Sequence, residues 1–412
     1  MPRHKKNKKN KIEELLRLID QGRKVIPSCP DFGTCGGCSL LNISYEDELM
    51  IKQKMVARLM APFFVGEISI VSSPNVIGYR NKMELSFGDY SNEGGLALGI
   101  RNRNRYYEVT VPTHCMLIPE DFKAIAMSTL EYFSKTDEIF YHRKRHTGTL
   151  RYLVLRRGEF TGEILVNLVT TTALDNSHPE KWVKNLLALP LDGKIVGLLH
   201  TKSDSLSDAV VPEHVKTLWG RDCFYEKLCG LTFGISPFSF FQTNSAGAEL
   251  LYSTVAEFAG QSDRICDCYC GTGTIALILA DSRPDVKEVV GIELVAEAVA
   301  AATENARINR IDNCRFIMGD VLKVLEKQDF SPDVLVLDPP RDGIHPKALN
   351  QLVSLDASKV VYVSCKPASL ARDLPFFIEK GYEVEKLRLH DMFPRTPHIE
   401  TVCLLKNTYK RR

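Results

Sequence analysis

The chain has 412 residues, with 53 Lys and Arg against 51 Asp and Glu, a net charge of +2, and 44% hydrophobic and 25% charged residues. That length calls for two or three domains. The composition is that of a soluble globular protein, and no apolar run approaches the ~18 residues of a membrane span. Twelve cysteines with no apolar signal core at the N-terminus argue against an exported disulfide scaffold and for a cytoplasmic protein.

Residues 1–28 carry nine Lys/Arg against three Asp/Glu and read as a basic tail leading into a short helix, suited to solubility or to RNA contact. Cys29, Cys35 and Cys38 follow within ten residues, wrapped around Gly33, Gly36 and Gly37. Three thiols in a Gly-rich loop of a cytosolic chain point to a metal centre. Cys115, at the end of the alternating segment YYEVTVPTHC, is the fourth ligand that a closed site needs, with His114 as the alternative. Four thiolates suit zinc and iron–sulfur equally, so spacing leaves the metal open. From Ser44 to Met60 the apolar spacing predicts a helix, capped by Ser44 with Asp47 three residues on.

Residues 65–235 predict a β-rich region with some helices, from short alternating runs such as MELSFG, GLALGIR, YLVLRR and EILVNLV. From His142 to Arg157 there are six Lys/Arg and no acid, and Arg80, Lys82, Arg101, Arg103 and Arg105 form a second basic set near Tyr79, Tyr106 and Tyr107. Basic residues interleaved with aromatics suit phosphate contact and base stacking, so RNA is the expected partner; the alternative is a solvated edge-strand face. Residues 29–235 are therefore read as a metal-loop and central α+β RNA-binding domain.

Past residue 235 the pattern becomes α/β, which predicts a Rossmann-like domain over 236–412. The strand ending at Tyr269 runs into Cys270-Gly271-Thr272-Gly273-Thr274, and the next strand ends in Glu293, 20 residues after Gly273. Glycines that let backbone approach a ligand, followed by an acid for ribose hydroxyls, make a nucleotide-cofactor site. The loop lacks the third glycine of a dinucleotide fingerprint and the Lys-Ser/Thr of a phosphate loop, so S-adenosylmethionine fits best. Asp320 and Asp338 end the following two strands. After Asp338-Pro339-Pro340 stands Arg341, where amino-methylating enzymes generally put an aromatic.

Cys365 ends the apolar strand VVYVS, with Lys366 beside it to favour the thiolate. Such a thiol solves the problem of uracil carbon 5, which is too weakly nucleophilic to attack a methyl sulfonium until a thiolate adds at carbon 6. A base must then remove the carbon 5 proton, and Glu400 is the candidate.

The Cys29/Cys35/Cys38/Cys115 quartet, FFQTN, DCYCGTGT, GIE, DPPR, VSCKP and HIE, in that order from about residue 29 to 405, resemble the RNA uracil-5-methyltransferase family. The resemblance implies a [4Fe-4S] cluster with a structural or RNA-folding role, Gln242, Tyr269, Glu293 and Asp338 as cofactor contacts, Cys365 as nucleophile and Glu400 as proton acceptor. Thr274 stands where some members have Asn, and Cys268 replaces a usual Leu. The ~28 residues before Cys29 are too few for the β-barrel RNA-binding domain of about 60 residues that opens several members. That resembles the branch acting on large-subunit (23S) ribosomal RNA, with transfer RNA as the alternative and a monomer expected. A non-catalytic, metal-clamped RNA-binding protein competes as a class. The usual CxxxCxxC spacing of radical enzymes is absent.

Overall fold

The computed structural model describes residues 22–410 except 91–93, 104, 176, 208, 209, 211, 284, 285 and 328–330. The greater part of the basic tail, 1–21, lies outside the described residues, as do the side chains of Tyr106 and Tyr107.

Ser44 caps the first helix, α1 (Tyr45–Met60), accepting from the Asp47 amide at 3.2 Å, and three acids occupy the positive end of the helix. After β1 (Ser69–Val71) come β2 (Lys82–Asp89), β3 (Leu96–Asn102), β4 (Arg105–Thr110), α2 (Glu120–Phe133), β5 (Leu150–Arg157), β6 (Glu163–Thr170), α3 (Ser177–Leu187), β7 (Lys194–Lys202) and β8 (His214–Gly220). Strands β2 to β8 form one mainly antiparallel sheet, ordered β3-β4-β2-β5-β6-β7-β8. Alternation along β5 and β6 turns Leu153, Leu155, Val166 and Leu168 onto Phe122 and Ile125 of α2 and Trp182 of α3. A hairpin of β9 (Phe224–Leu228) and β10 (Leu231–Ile235) leads out of this region.

The remainder alternates: α4 (Ser245–Ala259), β11 (Arg264–Cys268), α5 (Thr274–Asp281), β12 (Glu288–Glu293), α6 (Ala296–Asn309), β13 (Cys314–Met318), α7 (Val321–Lys327), β14 (Val334–Leu337), α8 (Pro346–Ser354), β15 (Lys359–Ser364), α9 (Pro367–Ile378), β16 (Tyr382–His390) and β17 (Glu400–Asn407). The sheet order is β1-β16-β17-β15-β14-β11-β12-β13, with β17 antiparallel to both its neighbours. Strands apolar at every residue need both faces covered. Val334 and Val336 accordingly pack toward α4 and α5, and Leu335 and Leu337 toward α1, α8 and α9. Leu335 and Leu337 have no exposed surface, so truncating either to Ala costs about 2–5 kcal/mol. Strand order reverses between β11 and β14, which opens a crevice at their carboxyl ends.

The boundary at residue 235 does not follow the sheets. Strand β1 joins the C-terminal sheet in parallel with β16, and α1 packs its Val56 and Met60 into that sheet's core. No helix among the described residues is long and apolar enough to cross a membrane.

Candidate active site

A cleft of about 820 Å3 lies at the carboxyl edge of the C-terminal sheet. One wall is Cys365, Glu400, Arg341, Gln242 and His398; the other is Arg80, just ahead of β2, with Lys82, Arg101 and Tyr152 of the central sheet. Phe240, 72% exposed, stands at the lip. Cys365 is held where β15 ends and α9 begins, while Glu400 is the first residue of β17, the adjacent strand.

Electrostatics bind the two together. Burial pushes the Cys365 thiol up to about 11, and the carboxyls of Glu400 and Asp338 push the same way while the Arg341 guanidinium opposes them. Glu400 is pushed up to about 8 by burial and then by Asp338, again opposed by Arg341. Burial alone takes Asp338 up to about 7. Arg341 donates to His398 Nδ1 at 3.1 Å, and burial, with Arg341 next, lowers the His398 imidazole so that it is a neutral acceptor.

Lys366 does not do what its position beside Cys365 suggests. Its amino group turns to Asp342 at 3.5 Å, half exposed, because consecutive side chains leaving a strand point apart. The cation acting on the thiol is Arg341, which sequence reasoning used only to exclude amino-methylation. His398 was likewise read only as part of a motif.

The expected cofactor residues gather at the ends of β11 and β12. Tyr269, Gly271 and Gly273 all have positive φ (67°, 54° and 80°). A Cβ on Gly271 would meet nothing within 4 Å, leaving backbone open to a ligand, whereas one on Gly273 would strike Phe316 at 2.6 Å. Glu293 accepts from the amides of Gly271 at 3.1 Å, Leu294 at 2.8 Å and Val295 at 2.9 Å, which ties loop and strand end into one cradle. Oε1 takes both the Leu294 and Val295 amides, whereas Oε2 takes only Gly271 and keeps a lone pair for a ribose hydroxyl. Leu294 and Met318, 64% and 60% exposed, flank it as an apolar surface for a purine. Gln242 lines the cleft with Cys365, Asp338 acts on the Cys365 thiol from just past β14, and Asp320 is exposed just past β13, close enough to act on Tyr269. These donors and surfaces fit S-adenosylmethionine, which when bound supplies a methyl group on a sulfonium. Thr274 is buried, its hydroxyl 3.5 Å from that of Thr272.

Cys29, Cys35, Cys38 and Cys115 line a second, apolar cavity of about 260 Å3 behind the basic wall. Burial drives the Cys38 thiol up to about 12, with further contributions from each of the other three thiols. Among the described residues no three His, Cys, Asp or Glu side chains form a group that could hold one metal ion, so the thiols share a cavity without closing on a single centre. His114 turns away to Asp31 at 3.5 Å. Arg103, itself exposed, clamps this loop by donating to the carbonyls of Cys35 and Cys38.

Two more arginines of the basic run are structural. Arg151 is 5% exposed, donating to the carbonyls of Ser203 and Ser205 at 2.7 Å each, and Arg156 is 2% exposed, bonded to Ser236 and Ser239 carbonyls. Lys144 and Arg145 remain exposed in the loop before β5.

A glycine cradle, an acid at the next strand end and a thiol at the edge of the crevice, in this strand order, define a Rossmann-like class I methyltransferase. The chain belongs to the tRNA (uracil-5-)-methyltransferase family, whose model matches residues 44–408. Membership makes it an S-adenosylmethionine-dependent RNA (uracil-5-)-methyltransferase. It is similar to an RNA methyltransferase of Caldanaerobacter subterraneus subsp. tengcongensis, 46% identical over 98% of this chain and 91% of that protein. An RNA methyltransferase of Clostridium tetani is 44% identical over 98% of this chain and 88% of that protein. Among solved structures it is similar to the Pyrococcus abyssi tRNA (uracil-54, C5)-methyltransferase in complex with S-adenosyl-L-homocysteine. The TM-score is 0.75 at 28% identity, covering 90% of this chain and 86% of that one.

Proposed function

We propose that the protein, a cytoplasmic monomer, methylates carbon 5 of an unpaired or flipped-out uridine in 23S ribosomal RNA through a covalent Cys365–carbon 6 adduct, with Glu400 removing the carbon 5 proton. The observation that carries this reading is the meeting of Cys365, Glu400 and Arg341 on one wall of a cleft whose other wall is Arg80, Lys82 and Arg101. Thiolate addition at carbon 6 needs the base out of its stack, and the exposed Phe240 offers a face against which a displaced base packs. Arg341 favours both the thiolate of Cys365 and the carboxylate of Glu400, the two forms that the chemistry requires.

The Cys29/Cys35/Cys38/Cys115 cavity is read as the seat of a [4Fe-4S] cluster with a structural role. What supports this reading is that all four thiols line one cavity of about 260 Å3, together with the resemblance of the Cys loop. The same loop supports ribosomal RNA, since the chain resembles the branch that keeps it. Transfer RNA is the second reading, favoured by the likeness to an archaeal enzyme described as acting on uracil 54 of tRNA.

The test is methyl transfer from labelled S-adenosylmethionine to unmodified ribosomal and transfer RNA in parallel, with nucleoside mapping. Label recovered as 5-methyluridine in 23S RNA is expected. Label in transfer RNA alone would keep the chemistry and discard the ribosomal substrate.

A further inference from the structure

The segment that carries the active-site wall, residues 391–398, is anchored at successive residues to distant parts of the chain, and an ion cluster with no solvent exposure sits at its root. Glu48 and Lys52 lie one turn apart on α1. Lys52 Nζ donates to Glu48 Oε1 and to Asp391 Oδ1, each at 2.7 Å, and all three side chains are 0% exposed. The same ammonium reaches the Phe393 carbonyl at 3.3 Å, and Tyr45 donates to the other Asp391 oxygen at 2.8 Å. Glu48 in turn accepts the Arg395 amide at 2.7 Å. The Met392 and Pro394 carbonyls accept from Asn244 at 3.1 Å and Tyr79 at 3.0 Å. Arg395 itself holds a φ of 68°.

Burying three charges is costly, and an apolar cluster of the same shape is often as stable or more so. What such a cluster supplies is a single path for irregular backbone. This segment needs one, because it leads without a break through the cleft residues Phe393, Thr396 and His398 into Glu400.

We propose that Lys52 is a positioning residue for methyl transfer: through Asp391, Glu48 and the Phe393 carbonyl it sets the path of residues 391–398 and so holds Glu400 against the carbon 5 proton. Lys52 touches neither RNA nor the reacting atoms, and the inference rests on Glu400 being the base, as proposed above. In the elimination step Glu400 takes the proton from carbon 5. The pair of the C–H bond restores the carbon 5–carbon 6 double bond, and the carbon 6–sulfur bond breaks to return the Cys365 thiolate. That step requires the carboxylate within hydrogen-bond reach of its proton. Cys365 and the glycine cradle stand on other strand ends, and the segment reaches the thiol only indirectly, through His398 accepting from Arg341 at 3.1 Å. Loss of Lys52 therefore slows elimination far more than methyl transfer.

The experiment compares wild type, Lys52→Met and Glu400→Gln with one natural-sequence substrate RNA and labelled S-adenosylmethionine. It reads single-turnover methylation, steady-state turnover and covalent RNA–protein adduct on denaturing gels. Lys52→Met is expected to lose about tenfold to a hundredfold in turnover, the scale of a 1 Å misplacement. First-turnover methylation stays within about threefold of wild type, and methylated adduct accumulates as in Glu400→Gln. A merely structural role would lower the melting temperature and slow both steps alike without adduct. Because Lys52→Met leaves Asp391 buried without its cation and Glu48 with only the Arg395 guanidinium at 3.5 Å, Tyr45→Phe serves as the gentler variant. It keeps every charge of the cluster, removes the bond to Asp391 and the one accepted from the Ser73 amide, and is expected to show adduct to a smaller extent; if Lys52→Met does not fold, Tyr45→Phe decides. Adduct in Glu400→Gln but in neither of the others overturns the inference alone. No adduct in Glu400→Gln removes the reading of Glu400, and this inference with it.

Discussion

Glu400 titrates near neutrality in the folded protein, and replacing it tests that directly. Its carboxyl is pushed up to about 8 by burial and by Asp338. In its proposed role as base it acts ionised, so turnover rises with pH through 8, and the Cys365 thiol, which must also ionise and is pushed up to about 11, keeps it rising above that. At pH 6 only about one molecule in a hundred carries the Glu400 carboxylate, placing that group's contribution to turnover ~100-fold below its limit. Glu400→Gln removes the base and is expected to cost about 10²–10⁴-fold in turnover. Stability moves the other way. The folded pKa lies above the ordinary value of 4.5, so the folded state binds more protons than the unfolded one between the two. That contribution is fully present below 4.5 and is lost as pH rises through 8. At about 1.4 kcal/mol per pH unit, wild type forfeits on the order of a few kcal/mol by pH 9 that Glu400→Gln does not. The assays are turnover from pH 5.5 to 9.5 and urea melts at pH 4 and pH 9. A flat wild-type profile between pH 6 and 9, or a Gln variant less stable than wild type at pH 9, would refute the reasoning.

Further outcomes concern the groups around that base. Arg341→Met removes the one cation named as acting on Cys365, so alkylation of that thiol by iodoacetamide at pH 9 should slow by about threefold to tenfold, with Arg341→Lys intermediate. Glu293→Ala strips the cradle of its acceptor and of three amide bonds, and calorimetry should show S-adenosylmethionine binding weakened by about tenfold to a hundredfold. Gly36→Ala would bring a Cβ within 2.8 Å of the Arg101 carbonyl, and under the cluster proposal the purified variant should carry less iron and less absorbance near 400 nm than wild type. Lys144→Ala with Arg145→Ala should raise KM for RNA, leave kcat unchanged, and flatten the salt dependence of binding by about 1.4, the value for two phosphate contacts on single-stranded RNA.

The chemistry was legible where it is local. Each strand–turn–helix unit of the C-terminal half announces its own strand end, so Gly271, Glu293, Asp338 and Cys365 could be placed at or just past strand ends from the residues around them. The turn to an acid at the next strand end carries enough pattern to place a cofactor. What stayed hidden depends on side-chain direction or on distant contact. Lys366 neighbours Cys365 in sequence yet faces Asp342, while Arg341, 24 residues earlier, reaches the thiol's surroundings. Arg151 and Arg156 belonged to an apparent RNA stripe because strand alternation cannot say which face a neighbouring carbonyl-rich loop will cover. The pairing of β1 with β16 joins Ser69 to Arg388 through three residues a side, too short to leave a pattern. The Lys52–Asp391 contact spans 339 positions, and α1 by itself reads as an ordinary amphipathic helix.

The central claim is that Cys365 forms a bond to the substrate uracil. The direct measurement uses substrate RNA carrying 5-fluorouridine at the methylated position, because fluorine cannot leave as a proton and the adduct is held. After incubation with S-adenosylmethionine, digestion and mass spectrometry locate the RNA-bearing peptide. The account predicts a stable RNA–protein complex joined at Cys365 and absent from Cys365→Ala. A complex joined at another cysteine, or full methylation of ordinary uridine by Cys365→Ala, would contradict it.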